Sequence, residues 1–471
     1  MDFENLFIGG RWVKSGSKKF IEVKNPADGS VIARVPAGCA GDVDCAARAA
    51  ARAFPAWAAT PLEARIALME KFLAEFRALE PELTAITVKE LGSPVGFTKA
   101  SQVGYQFTRT RSYIDLAPTV PLVEKMAAST VYREPVGVVG CITPWNYPLG
   151  QVIQKVVPAL LMGNTVVLKP SQHTPLSCYY LAQAFERAGF PAGVFNLVTG
   201  RGAEIGNAIS SHPLIAMVSF TGSTSGGVTV AKNALESVKR ISLELGGKSP
   251  YVILPGLKDW DAPIRILFNS IFLNSGQTCT AFSRLLVPES EAAAIEKRLA
   301  EISREYTVGD PADPAVKVGP LASAAQFRKV KGFIEKGLEE GAKLLVGEVP
   351  EEGRGYFVKP AIFTGVSNSM EIARQEIFGP VLCVITYRDV DEAVAIANDT
   401  AYGLNAGVFG EKDEALAVAR RIEAGNVYVN SSPRDTSAPF GGYKASGIGR
   451  EGGVYGMLEF TQQKALFDTK L

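Results

Sequence analysis

From Val136 onward, short apolar runs alternate with longer amphipathic stretches, and few architectures accommodate that order. Residues 136–142 and 165–168 read as buried strands, with an amphipathic helix predicted over 149–161 between them. A helix over 176–188 leads to strands at 194–198, 217–221 and 241–244. Such strand–helix–strand units predict a mainly parallel sheet with helices on its faces. A second α/β block follows, with helices near 263–273 and 290–305, strands near 284–287 and 381–387, and a helix over 391–398. Residues 112–133 break the alternation and read as an extended excursion; residues 458–460 and 465–467 read as strand-like. A chain of 471 residues exceeds one ordinary core, at roughly 100–200 residues per domain. With no repeat or low-complexity linker, its lobes are expected to pack closely.

Composition narrows the function classes. Hydrophobic content of 47% and charged content of 21% describe a globular chain. A net charge of +1 supplies no basic field for nucleic acid. The uncharged run 136–154 is broken by Pro144, Pro148 and three glycines, so it does not make a membrane helix of about 20 apolar residues. The start, Met1-Asp2-Phe3-Glu4-Asn5, lacks the basic-then-apolar plan of a secretory signal; a cytoplasmic protein is expected. The six cysteines show no Cys-x-x-Cys pair and no metal-ligand spacing. No metal centre and no disulfides are expected, and most of these thiols should be small buried hydrophobes. Only two histidines occur. His212, in Ser211-His212-Pro213, reads as a solvated turn residue, and His173 lies in a loop after a strand. A nucleophilic cysteine here would therefore take a carboxylate as its base.

Three segments supply those parts. Cys279 sits in Asn274-Ser275-Gly276-Gln277-Thr278-Cys279-Thr280, Glu244 in Leu243-Glu244-Leu245-Gly246-Gly247-Lys248-Ser249-Pro250, and Asn146 in Thr143-Pro144-Trp145-Asn146-Tyr147-Pro148. A thiol attacks a carbonyl, an amide holds the resulting oxyanion, and a carboxylate activates water. Together the segments resemble the aldehyde dehydrogenase superfamily, and the resemblance runs from Phe7-Ile8-Gly9-Gly10-Arg11-Trp12 to the C-terminal region. It implies a Rossmann-like cofactor domain (1–111 and 134–245), a second α/β catalytic domain (246–448) and a small β oligomerisation arm (112–133 and 449–471). A homodimer or homotetramer follows from the arm. Lys155 matches a family lysine proposed to pass protons near Glu244; a helix-surface charge is the plainer alternative.

Two glycine-bearing turns bear on a cofactor. Gly200-Arg201-Gly202 with Gly206 misses the usual dinucleotide spacing by one residue and equally serves close packing. In Phe220-Thr221-Gly222-Ser223-Thr224, amides opening a helix suit a pyrophosphate or a simple N-cap. The resemblance favours the pyrophosphate. It adds Ile142, Thr143, Pro144, Trp145, Leu245 and Gly246 to the cofactor wall, gives Lys169 the adenosine ribose, and gives Glu376 and Phe378 the nicotinamide ribose. Gln172, beside Ser171, stands where relatives often carry a glutamate that repels a 2′-phosphate. The cofactor is therefore NAD or NADP. The second glycine-rich run, 439–451, has no Gly-Lys-Ser/Thr ending; the resemblance puts it near the substrate mouth and a subunit contact.

The substrate wall implied by the resemblance comprises Tyr147, Gln154, Thr278, Thr280 and residues 430–435, including Arg434. Gln154 and Arg434 make this wall polar, which points to an oxygenated or anionic aldehyde, against an Arg434 paired with Asp435 or a neighbouring subunit. The expected activity is NAD(P)-dependent oxidation of a small-molecule aldehyde to its acid. The alternatives are an acylating enzyme using coenzyme A, which Glu244 argues against, and a catalytically silent structural relative.

Overall fold

The computed structural model describes residues 3–430 and 432–467. Its first sheet has eight strands in the order Arg11–Val13, Leu6–Ile8, Phe195–Leu197, Thr165–Lys169, Val138–Ile142, Met217–Thr221, Arg240–Glu244 and Gly447–Ile448. The five strands from Phe195–Leu197 to Arg240–Glu244 run parallel. Most of their residues are buried, as a parallel sheet covered on both faces requires. The helix Pro148–Leu161 is buried along its whole length, and its first position is the proline that suits a helix start. The strand expected from residue 136 begins at Val138. The amides of Val136 and Gly137 donate instead to Asn164 Oδ1, at 2.8 and 3.1 Å.

The second sheet has seven strands, ordered Lys343–Val346, Ala361–Thr364, Val381–Tyr387, Phe282–Pro288, Ser249–Ile253, Asn405–Phe409 and Asn426–Val429. Five of these were not legible as strands. The helices Asp261–Phe272, Ala292–Ser303 and Val390–Asn398 lie within two residues of their expected bounds at each end.

Two expectations for the irregular segments are corrected. The excursion at 112–133 starts as the end of a helix, Tyr105–Leu116, and only Val123–Lys125 and Ser129–Pro135 are strands. Gln106, Phe107, Thr110, Tyr113 and Ile114 are buried at helical spacing, a stripe that continues upstream of the window in which only extended residues were sought. Residues 458–460 likewise are not a strand: Gly453–Glu459 is helical and the strand is Thr461–Phe467. That strand pairs antiparallel with Ser129–Pro135 and is exposed except at Thr461.

His212 also departs from expectation. It is half-buried, its Nε2 3.3 Å from Asp44 Oδ1, and its Nδ1 accepts from the Leu214 amide. Of the six free thiols, Cys141, Cys178 and Cys383 are buried, Cys39 and Cys279 are half-buried, and Cys45 is exposed. No helix among the described residues is long and apolar enough to cross a membrane. No cluster of three or more His, Cys, Asp or Glu suited to a metal occurs among them.

Sheet register positions the site. Ile142 pairs with Lys169 and Phe220, and Thr221 with Glu244, so the carboxyl ends of four adjacent parallel strands open on one edge. Clefts for ligands in open α/β sheets form at that edge.

Candidate active site

Cys279 follows a turn in an unusual conformation. Asn274, Ser275 and Gly276 have φ of 56°, 55° and 71°, three consecutive residues in the left-handed region. Such strain persists only where surroundings impose it. Asn274 Nδ2 donates to the Asn146 and Gln277 carbonyls at 3.0 and 3.2 Å, and Ser275 Oγ donates to the Gly319 carbonyl at 2.7 Å. Gln277 Oε1 accepts from the Ala322 amide at 2.8 Å. A Cβ on Gly276 would lie 2.1 Å from the Gly379 carbonyl oxygen, so only glycine fits.

Asn146 is fixed from two sides. Its carbonyl accepts from Gln102 Nε2 and Asn274 Nδ2, both at 3.0 Å, and its own amide donates to the Gln277 carbonyl at 2.9 Å. The thiol of Cys279 is pushed up to about 12, first by burial and then by the charges of Glu376 and Glu244, with Arg434 opposing. Glu244 is buried, and neither carboxylate oxygen has a hydrogen-bond partner among the described residues. Burial holds its pKa well above the carboxylate range, and Glu451 adds to the effect against Lys155, Arg450 and Arg434. Gly441 abuts this carboxyl so closely that a Cβ there would come within 2.8 Å of Glu244 Oε1.

Lys155 is not a surface charge. It is fully buried and donates to Glu451 Oε1, while Gln154 Nε2 donates to Glu451 Oε2 at 2.9 Å. A lysine on an all-apolar helix stripe needs such a partner. Glu451 was missed because nothing local to it marks a buried acid.

Two cavities meet at Cys279. The first, about 160 Å³, is lined by Pro144, Trp145, Asn146, Thr221, Gly222, Ser223, Leu245, Gly246, Glu376 and Phe378, together with Gln326 and Lys329. These last two went unrecognised, lying on an amphipathic helix, Ala324–Glu339, without any motif. Ser223 Oγ accepts from the Gly226 amide and caps the helix Thr224–Leu235, whose start faces this cavity. Phe378 has φ of 62°, its carbonyl accepting from Gln326 Nε2 at 2.7 Å, and its ring meets Trp145 edge-on. Glu376 Oε1 accepts from the Gly247 amide at 3.0 Å.

Ile142 and Thr143 are buried behind this wall, the Thr143 amide donating to the Lys169 carbonyl at 3.0 Å. Phe220 packs under Gly222. Lys169 is buried, its ammonium donates to the Pro170 carbonyl at 3.0 Å, and burial lowers its pKa to about 8. Ser171 is buried and Gln172 lines a separate cavity of about 510 Å³ with His173 and Arg201. Gly202 is exposed and lines neither cavity.

The second cavity that reaches Cys279 is a funnel of about 320 Å³. Tyr147, Gln154, Thr278, Thr280 and Arg434 all line it, as do Tyr105, Gln106, Arg109, Gln151 and Phe440. The Tyr147 and Thr278 hydroxyls are 2.9 Å apart. The Arg434 guanidinium lies over the Phe440 ring at 4.4 Å, and Asp435 is bonded to Ser437 rather than to Arg434. Cys279 is the one residue common to both cavity walls.

The cofactor cavity suits a dinucleotide on the structure's own terms. A capped helix start faces it, and the buried Thr143 and Thr221 hydroxyls beside it lack partners. A Cβ at Gly246 would meet Glu376 Oε2 at 2.5 Å, so the backbone there passes close to the carboxylate.

Comparison with known proteins adds an independent finding. The model of the aldehyde dehydrogenase family matches residues 12–466. Aldehyde dehydrogenase C from Pseudomonas syringae, solved as a cysteine-to-alanine mutant with NAD+ and octanal, is 42% identical with a TM-score of 0.97, over 99% of this chain and 96% of that one. A Mycobacterium tuberculosis aldehyde dehydrogenase complexed with NAD+ is 39% identical with a TM-score of 0.97, over 99% and 98% of the two chains. A Staphylococcus aureus betaine aldehyde dehydrogenase point mutant, also with NAD+, is 33% identical with a TM-score of 0.95, over 98% and 95%.

Proposed function

Because this chain belongs to the aldehyde dehydrogenase family, we propose that it oxidises a small-molecule aldehyde to the carboxylic acid, with Cys279 as the nucleophile. The observation that carries this is the meeting of the two cavities at that one side chain. A group attacked by the sulfur from the funnel side presents its carbon to whatever occupies the other side.

Cys279 gives its thiol proton to water in the funnel, the thiolate adds to the aldehyde carbon, and the tetrahedral oxyanion is held by the Asn146 amide and the Cys279 backbone N–H. Asn146 needs no reorientation of its backbone, since Gln102 and Asn274 already hold it. A bound NAD(P)+ would supply the hydride acceptor, leaving the carbon held on Cys279 as a thioester. Glu244 then takes a proton from water as it attacks the thioester carbon, releasing the acid and regenerating the Cys279 thiolate. Its pKa, raised by burial and by the charge of Glu451, makes it a stronger base than an ordinary carboxylate, and the charge of Lys155 opposes that rise. Gln326, Lys329, Glu376 and Phe378 would hold the nicotinamide ribose end, Ser223 and the helix behind it the pyrophosphate, and Lys169 with Ser171 and Gln172 the adenosine end.

The neighbours' NAD+ supports use of that cofactor. Gln172 brings no carboxylate repulsion, and Arg201 and Lys24 line its cavity against one acid, Glu22, so NADP is accepted as well. We assign residues 1–111 and 134–245 to the cofactor domain, 246–448 to the catalytic domain, and 112–133 and 449–471 to an arm that builds a homodimer or homotetramer, through the exposed Thr461–Phe467 strand.

The test is a panel of aldehydes with each cofactor, read as reduced-cofactor absorbance. Turnover with NAD+ that vanishes in Cys279→Ser, with substrate trapped on that cysteine in the wild type, is the expected outcome. Transfer of the acyl group to coenzyme A in preference to water would favour the acylating reading. The absence of any turnover would return the chain to a silent relative.

A further inference from the structure

Two cations share the substrate funnel, and neither is used by the mechanism above. Arg109 is buried on the helix Tyr105–Leu116 and Arg434 is exposed on a loop from the opposite end of the chain. Both line the funnel, and they are close enough that Arg434 lowers the pKa of Arg109, after the larger effect of burial. Arg109 Nη1 donates to Gln106 Oε1 at 2.8 Å and to the Gly150 carbonyl at 3.3 Å, and its guanidinium lies 5.0 Å over the Tyr105 ring. Arg434 sits over Phe440. Their partners are thus neutral. The acid that acts on Arg109 by charge, Glu451, is taken up by Lys155 and Gln154.

Two further groups in the same wall are buried and unpartnered: the Tyr105 hydroxyl and Gln151 Oε1, the latter on a residue 6% exposed. A buried cation without a counter-charge and buried polar atoms without partners are both costly unless a ligand completes them. An alkyl chain would leave the Tyr105 hydroxyl and the Gln151 amide oxygen unpartnered and both guanidiniums without a counter-charge. A carboxylate would accept from both guanidiniums and the Tyr105 hydroxyl, because planar guanidinium groups match carboxylate oxygens in pairs, and the Gln151 amide, turned end for end, would present its NH2 to it.

We infer that the Arg109–Arg434 pair is the specificity determinant of this funnel, selecting short aldehydes that carry a second, anionic group such as a carboxylate at the far end. The inference rests on the aldehyde-oxidising reading above. Arg109, Arg434 and Cys279 line one funnel of about 320 Å³, which keeps the anion site near the reacting sulfur and the spacer short.

The experiment uses the full chain with NAD+ and two matched series, ω-carboxy aldehydes of four to six carbons and neutral alkyl aldehydes of the same lengths, the chain lengths being about those a funnel of this size holds. The readout is the ratio of kcat/KM for the charged over the neutral partner. The wild type is expected to give a ratio above one, and Arg434→Gln to reduce it by about 10–100-fold, mostly through KM. Arg109 is buried, so its removal threatens the fold; raising ionic strength in the wild type serves instead, and should raise KM for the charged series only. A wild-type ratio at or below one, or a ratio unchanged in Arg434→Gln, overturns the inference. If Arg434 served only to favour the Cys279 thiolate, both series would fall alike and the ratio would hold. Turnover of neutral aldehydes alone sinks the anion site but keeps the enzyme; turnover of neither sinks the enzyme.

Discussion

Lys155 and Glu451, 296 positions apart in sequence, form a buried ion pair behind Gln154 of the funnel wall. The lysine is the only charge on a helix that is otherwise apolar or amide-bearing, and its partner comes from the last glycine-rich loop. That loop reaches Phe440 through paired backbone bonds at 2.6 Å, so the pair ties the C-terminal segment to the funnel wall.

Replacing Glu451 by Gln leaves the Lys155 ammonium buried against a neutral group. Loss of about 3–5 kcal/mol of stability is expected for breaking one side of a buried pair. Glu451 is also the second cause, after burial, of the raised pKa of Glu244. Its removal therefore lowers that pKa, and the acidic limb of the kcat profile moves to lower pH. An unaltered melting temperature together with an unmoved limb would refute the coupling.

Glu244 makes a stability prediction of opposite sign to the usual carboxylate. Its folded pKa lies above the ordinary 4.5, so the fold favours the neutral acid. Below the unfolded pKa this costs nothing. As pH rises from there toward the folded pKa, the charged form is penalised and stability falls. Glu244→Gln should therefore melt close to the wild type near pH 5 and progressively above it toward pH 9, while keeping a single-turnover burst of reduced cofactor. A melting difference that does not vary with pH would count against the burial of this charge.

Asn146→Ala removes a preorganised donor and also the amide bond at 2.9 Å to the Gln277 carbonyl. Its loss should raise the barrier by about 2.7–4 kcal/mol, roughly 10²–10³ in kcat. The protein should remain folded by circular dichroism. A fall of less than tenfold would remove the side-chain amide from the oxyanion role.

The Cys279 thiol, pushed up to about 12, is mostly protonated at neutral pH. Alkylation by iodoacetamide, followed on the Cys279 peptide by mass spectrometry, should accelerate about tenfold per pH unit between pH 7 and 10. Glu376 is the next largest cause after burial, so Glu376→Gln should alkylate faster at any given pH. A rate flat above pH 7 would mean a thiolate already formed at rest.

The parallel strands and the helix at Pro148–Leu161 were legible because full burial writes itself as continuous apolar runs. The edge strands Lys343–Val346 and Asn426–Val429 were not, since half-burial leaves mixed sequences that propensity alone does not resolve. The helix end at Tyr113 and Ile114 was misread as extended because β-branched and aromatic residues favour strands until a buried helical face overrides them.

Cys279, Glu244 and Asn146 could be proposed from the sequence because each sits in a short contiguous motif that resembles a known family. Within those motifs, the roles of Gly276 and Gly246 depend on φ or on close backbone approach at that position. Tertiary structure alone decided which distant groups surround them. Glu451 beneath Lys155, Gln102 behind Asn146, and Arg109 facing Arg434 are joined across long stretches of chain. Charge pairing and burial depend on distance in space, which local sequence pattern does not encode.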